Sequence, residues 1–84
     1  MWYLYIVKCK DGTLYTGITT DISERIDRHN RKKASKYTRV RTPVKLIYEE
    51  THRTRSAALK RELFIKSLTR SDKLKLVASR KKRK

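Results

Sequence analysis

Eighty-four residues carry 24 lysines and arginines against 8 aspartates and glutamates, a formal charge of +16, with 37% of residues hydrophobic. That length supports one domain with a small core; no run of about 18 apolar residues is present, so no membrane span is expected, and the apolar start at residues 1–7 is too short, and lacks the basic flank, to read as a secretory leader. The single cysteine, Cys9, excludes a disulfide partner within the chain and a cysteine-built zinc site, reads as a buried small hydrophobe, and fits a reducing cytoplasm.

Residues 2–9 and 13–20 are rich in Tyr, Ile, Val, Leu and Thr and are separated by Asp11-Gly12, which predicts a β-hairpin. Side chains alternate across a strand, so the loop length sets which residues share a face. A three-residue loop, 10–12, with Gly12 left-handed, places Leu4, Ile6, Leu14 and Ile18 on one face. It leaves Tyr5 and Tyr15 as diagonal neighbours on the other, with Gly17 opposite Tyr5. A bare two-residue turn would break up the aliphatic set. Asp21 then reads as the N-cap of a helix to about Asn30, with Glu24 completing a capping-box pattern. Residues 31–43 are polar and basic and end in Pro43, which predicts a loop; residues 44–50 alternate as a third strand. A helix over 55–68 follows, capped by Thr54. Ser71 caps a further helix to about Ser79 whose inward residues are Leu74, Val77 and Ala78. His52 falls in a polar turn and reads as solvated. A domain over 1–79 is thus followed by a basic, disordered tail over 80–84. The order β-β-α-β-α-α predicts an α+β fold: a three-stranded antiparallel sheet flanked by helices.

The positive charge is clustered. Between Arg28 and Tyr48 stand Arg28, Arg31, Lys32, Lys33, Lys36, Arg39, Arg41 and Lys45 with no acid, and after Asp72 stand Lys73, Lys75 and the tail, again with no acid. Solubility needs a net charge of only about 2–8 for a small domain, so the excess points to a polyanionic partner. Nucleic acid fits best, because no helix is apolar on one side and basic on the other as a membrane surface would require.

Three sets of residues break the apolar pattern. On the first helix, Arg25 and His29 share a stripe with Ile22 and Ile26, and the plain reading is that they snorkel outward at the edge of the core. On the helix over 55–68, Glu62 lies inside the arc formed by Ala58, Leu59, Leu63 and Ile65, with Lys66 beside it. A carboxylate there is costly unless paired or bound to a cation. Two readings stand: a Glu62–Lys66 pair one turn apart, or a carboxylate held for a divalent ion such as magnesium. Finally, Tyr3, Tyr5 and Tyr15 on one sheet read most simply as core or interface material.

Taken together these residues resemble the GIY-YIG nuclease superfamily. The resemblance is carried by Tyr3-Leu4-Tyr5, by Tyr15-Thr16-Gly17, by Arg25 ten positions after Tyr15, and by Glu62. Small stand-alone bacterial members are more similar still, through the stretch from Tyr15 to Asp21, Arg25 with His29-Asn30, Lys36-Tyr37-Thr38-Arg39, Pro43-Val44-Lys45-Leu46, and Ala58 with Arg61-Glu62 and Ile65-Lys66. The match covers about residues 2–77. It departs from the family pattern in three places. The first motif lacks its glycine, Ile18 stands where a repair branch carries lysine, and no asparagine answers the one some branches place after the glutamate.

The resemblance implies the same fold and phosphodiester cleavage with one divalent ion, Mg2+ or Mn2+. It assigns Tyr5, Tyr15, Arg25, His29 and Glu62 as catalytic, with Glu62 the metal ligand. On this reading Arg25 donates to the non-bridging phosphate oxygens, where its fork suits the geometry. Tyr15 takes the proton of the attacking water, and Tyr5 or His29 positions it. Arg31, Lys32, Lys33, Lys36, Arg39 and Arg41, together with Lys66, grip the nucleic-acid backbone; Tyr37 is either a base-stacking residue or a packed loop residue. The expected function is a metal-dependent endonuclease acting on DNA, including structured or damaged DNA. The alternative is a nucleic-acid-binding module with the same fold and little or no turnover.

Overall fold

A computed structural model describes residues 1–82, and the side chains of residues 1–79. Its elements are β1 (Trp2–Lys8), β2 (Leu14–Thr19), α1 (Ile22–Asn30), α2 (Lys36–Arg39), β3 (Lys45–His52), α3 (Arg55–Lys66) and α4 (Arg70–Lys82). The strands form one antiparallel sheet in the order β2-β1-β3. The α+β architecture is the one expected, with one addition: the basic segment read as loop contains the short helix α2. Its N-cap is Ser35, whose hydroxyl accepts from the Tyr37 amide at 3.1 Å.

The hairpin register follows from the three-residue loop. Cys9 N–H donates to the Thr13 carbonyl at 2.8 Å, Gly12 N–H to the Cys9 carbonyl at 2.9 Å, and Gly12 has φ +86°. Leu4 then faces Ile18 and Tyr5 faces Gly17. One sheet face packs Leu4, Ile6 and Tyr48 against Ile65 of α3 and Val77 of α4, with Leu14, Ile18, Leu68 and Leu76 around them. The other face packs Tyr5, Val7 and Cys9 against Val44, with Ile22 and Ile26 of α1 alongside. The sheet is therefore the middle of three layers. In β3, Tyr48 pairs with Ile6 but Leu46 with Val7, so the bulge at Ile47 lets those two side chains reach opposite cores.

Several details differ from the expectation. Asp21 caps α1 by accepting from the Glu24 amide at 3.0 Å, but the reciprocal arm is absent: Asp21 N–H donates to Thr19 Oγ1, and the Glu24 carboxylate lies 3.7 Å from Arg28. Thr69, not Ser71, accepts from the Asp72 amide at the start of α4, and the helix continues to Lys82. Leu74 and Ala78 are exposed, because α4 meets the sheet along a narrow line at Leu76 and Val77. Leu63 is 69% exposed, at the outer edge of its arc. The last part of the expected tail, residues 83–84, lies outside the described residues. Within 1–82 no helix is long and apolar enough to cross a membrane.

Candidate active site

Tyr5 sits on the central strand, pointing into the face covered by α1. Gly17 lies directly opposite on β2, and a Cβ built there would stand 2.6 Å from the Tyr5 hydroxyl and 2.8 Å from Cζ. Glycine is required here for space: the phenol ring lies flat over the neighbouring backbone. Its hydroxyl is 2.8 Å from His29 Nε2, and His29 Nδ1 is 2.8 Å from Thr38 Oγ1. The Thr38 hydroxyl in turn donates to the Ser35 carbonyl at 3.4 Å. That carbonyl can only accept, so Thr38 accepts from Nδ1–H, Nε2 is the bare nitrogen, and Tyr5 donates to it. Tyr5 and His29 are each 1% exposed and Thr38 is 0% exposed. His29 does not snorkel outward: burying both of its nitrogens in hydrogen bonds removes the need for water.

Burial is the main force on both titrating groups. It pushes the Tyr5 phenol up to about 12, reinforced by Tyr15 and, last, by Glu62, and opposed by the Arg25 guanidinium. It holds the His29 imidazole below its usual range, helped by the positive charges of Arg25 and Arg28. Tyr5 is thus a neutral phenol and His29 a neutral imidazole near pH 7. Tyr15, Arg25 and Glu62 each act electrostatically on the Tyr5 hydroxyl, Glu62 the least.

The other members are more open. The Tyr15 ring meets the His29 ring edge-on at 5.3 Å between centroids, and its hydroxyl makes no hydrogen bond among the described residues. Arg25 is half-buried, and its Nε is buried with no acceptor among the described residues. An orphaned buried donor costs about 1–3 kcal/mol, a debt that an anionic oxygen at that spot would cancel. Glu62 is 15% exposed and lies 3.4 Å from Lys66 Nζ. The pair drawn from spacing therefore exists. Among the described residues no cluster of three or more His, Cys, Asp or Glu could hold a metal ion. The donor that Glu62 offers is one hard carboxylate. That fits magnesium or manganese, which take one or two protein carboxylates and complete their shell with water and phosphate oxygens.

The basic segment wraps the rim. Tyr37 stacks on Tyr15 at 5.9 Å, and Arg41 lies 4.0 Å over the Tyr37 ring, while Tyr37 stays 38% exposed. Arg41 also donates to Asp11 at 3.1 Å, latching the segment to the hairpin, and Arg31 pairs with Asp27 at 2.9 Å. Lys32, Lys33, Lys36 and Arg39 carry no ion pair among the described residues. On the far face, Glu50 accepts from Tyr48, from His52 at 2.9 Å and from Arg61 at 2.8 Å. Burial would raise the Glu50 pKa, but those three donors outweigh it and hold the carboxyl below its usual range. His52 is therefore partnered rather than solvated, and the network ties α3, through the neighbour of Glu62, to β3.

Thr38 has a part that sequence reasoning missed. Its only signal is its place in the Lys36-Tyr37-Thr38-Arg39 stretch, since a polar residue in a polar loop has no periodicity to mark it as buried. Asn30 is similar: its side chain accepts from the Val44 amide at 2.7 Å and donates to the Val44 carbonyl at 3.3 Å, closing the base of the segment.

Residues 1–75 match the family model described as the GIY-YIG catalytic domain. The chain is 53% identical over 78 residues to a UPF0213 protein of Staphylococcus aureus strain Mu3, covering 93% of this chain and 95% of that one. It is similar to the solution NMR structure of UPF0213 protein BH0048 from Bacillus halodurans, at 42% identity and TM-score 0.60, covering 93% of this chain and 84% of that one. The NMR structure of protein EF2693 from E. faecalis gives 37% identity and TM-score 0.61 with the same coverage.

Proposed function

The chain belongs to the GIY-YIG family, a nuclease family that acts on nucleic acids, and from that premise we propose that it is an endonuclease that hydrolyses DNA phosphodiester bonds with one Mg2+ or Mn2+ held by Glu62. The observation that supports this reading is the Tyr15 ring set edge-on against the buried, hydrogen-bonded Tyr5–His29 pair, with Arg25 and Glu62 both acting electrostatically on the Tyr5 hydroxyl.

Phosphodiester hydrolysis needs an activated water, stabilisation of charge on the transition state, and help for the leaving oxygen. Arg25 supplies the second, donating from a fixed, partly buried position to a non-bridging oxygen. Tyr15 supplies the first. Its hydroxyl is free to bind water, whereas Tyr5 is committed to His29 and both nitrogens of His29 are taken. Glu62 would hold the divalent ion, which would supply Lewis-acid charge to the reaction when bound. Tyr5 acts as a neutral, rigid donor-acceptor that sets the His29 ring against Tyr15; the Thr38 and Ser35 contacts keep that ring in one tautomer. The basic segment adds the sequence-independent attraction for the backbone.

The test is incubation of the full chain with plasmid, flap and single-stranded DNA, with Mg2+ or Mn2+ and with chelator. The expected result is cleavage that chelator abolishes. Binding without cleavage of any of the three would overturn the enzyme reading in favour of the binding module.

A further inference from the structure

Lys32, Lys33, Lys36 and Arg39, with Ala34 and Ser35, line an open cleft of about 370 Å³. The arginines near it each hold an acid: Arg28 with Glu24, Arg31 with Asp27, Arg41 with Asp11. The four cations of the cleft have no counter-charge among the described residues. Like charges around one concavity repel one another, and the same concavity focuses their field on an incoming anion. Lys32 is the left-handed residue that ends α1, with φ +66°: its N–H donates to the His29 carbonyl at 3.0 Å and the Lys33 N–H to the Arg28 carbonyl at 2.9 Å, and glycine is at ease at such a position.

The cleft is also placed usefully. At 100° per residue, Lys36 and Arg39 project from one side of α2, and Tyr37 and Thr38 from the other. That second side stacks on Tyr15 and holds His29. Cleft and active site thus lie on opposite flanks of one helix, about 10–12 Å across.

We propose that this cleft is a second phosphate subsite, which takes a different backbone phosphate of the nucleic-acid substrate from the one at Arg25. The proposal rests on the nuclease reading for its substrate, but its readout is binding, so the two can fail separately. The experiment measures affinity of the full chain for labelled DNA in chelator between about 50 and 200 mM salt. Lys32→Gly should weaken binding several-fold and reduce the salt slope by about one, and Lys32→Gly with Arg39→Ala by about two. The melting temperature of Lys32→Gly should not fall, since glycine suits the backbone there. A single uncharged methylphosphonate is then walked along the strand. One position should lose its effect in Arg25→Ala, and another, at a different phosphate, should lose its effect in Lys32→Gly. Parent-like affinity and slope in Lys32→Gly would overturn the subsite, as would a methylphosphonate pattern unchanged by that substitution. A changed slope in a protein that cleaves nothing with metal would uphold the subsite while sinking the hydrolytic reading.

Discussion

Replacing Gly17 by alanine tests how the two strands build the site. The added methyl would fall 2.6 Å from the Tyr5 oxygen, 2.8 Å from Cζ and 3.0 Å from Cε2. Relaxed carbon contacts lie at about 3.5–4.0 Å, so the ring must retreat by roughly 1 Å. It cannot do so freely, because Tyr5 is buried and its hydroxyl is fixed 2.8 Å from His29 Nε2. Overpacking costs about 1–3 kcal/mol, and a buried hydrogen bond left unmade adds about 1–3 kcal/mol, giving an expected loss of about 2–6 kcal/mol. Strand propensity predicts the opposite sign, since alanine in place of an interior glycine gains about 0.5–1 kcal/mol. Urea unfolding followed by circular dichroism reads the difference. In a Tyr5→Phe background the shortest contact is gone, so the alanine should cost less, with a coupling of at least about 1 kcal/mol. A Gly17→Ala protein within about 0.5 kcal/mol of the parent, or more stable, would refute the close approach.

Thr38→Val keeps the shape but leaves His29 Nδ1–H without its acceptor, so it should cost about 1–3 kcal/mol in the same assay, while Thr38→Ser should restore most of it. His29 is harder to protonate folded than unfolded, so its contribution to stability is complete above about pH 6.5 and is lost as pH falls through the lower folded value. His29→Gln should therefore flatten stability against pH below about 6.5; parallel curves for parent and variant would contradict a buried neutral imidazole. Tyr5 has the reverse sign. Its phenol, raised to about 12, contributes fully below about pH 10, and the contribution drains away as pH rises toward the folded value. Ultraviolet titration should show one tyrosine ionising last, and that step should be missing in Tyr5→Phe.

What the sequence made legible depended on periodicity. The hairpin register could be read from parity because only one loop length gathered Leu4, Ile6, Leu14 and Ile18, and that constraint also set Gly17 against Tyr5. The odd placement of Glu62 in an apolar arc marked a carboxylate that is 15% exposed and paired with Lys66 at 3.4 Å. Periodicity misjudged the residues whose burial is local and polar. His29 was expected to snorkel outward, yet it is buried because Thr38 and Tyr5 satisfy it from distant parts of the chain. The helix α2 was invisible because four residues are too few to show a helical period. The inward side of α4 was misread because a helix rich in cations touches the core along a single line, which a wheel of its residues does not reveal.

The central claim is that the converged phenol, guanidinium and carboxylate cut nucleic acid. Its most direct test is plasmid nicking with Mg2+ or Mn2+ by the parent, Glu62→Ala and Tyr15→Phe, each first shown to be folded and to bind DNA. The account predicts nicking by the parent and a loss of at least about 100-fold in both variants; equal rates in all three would contradict it.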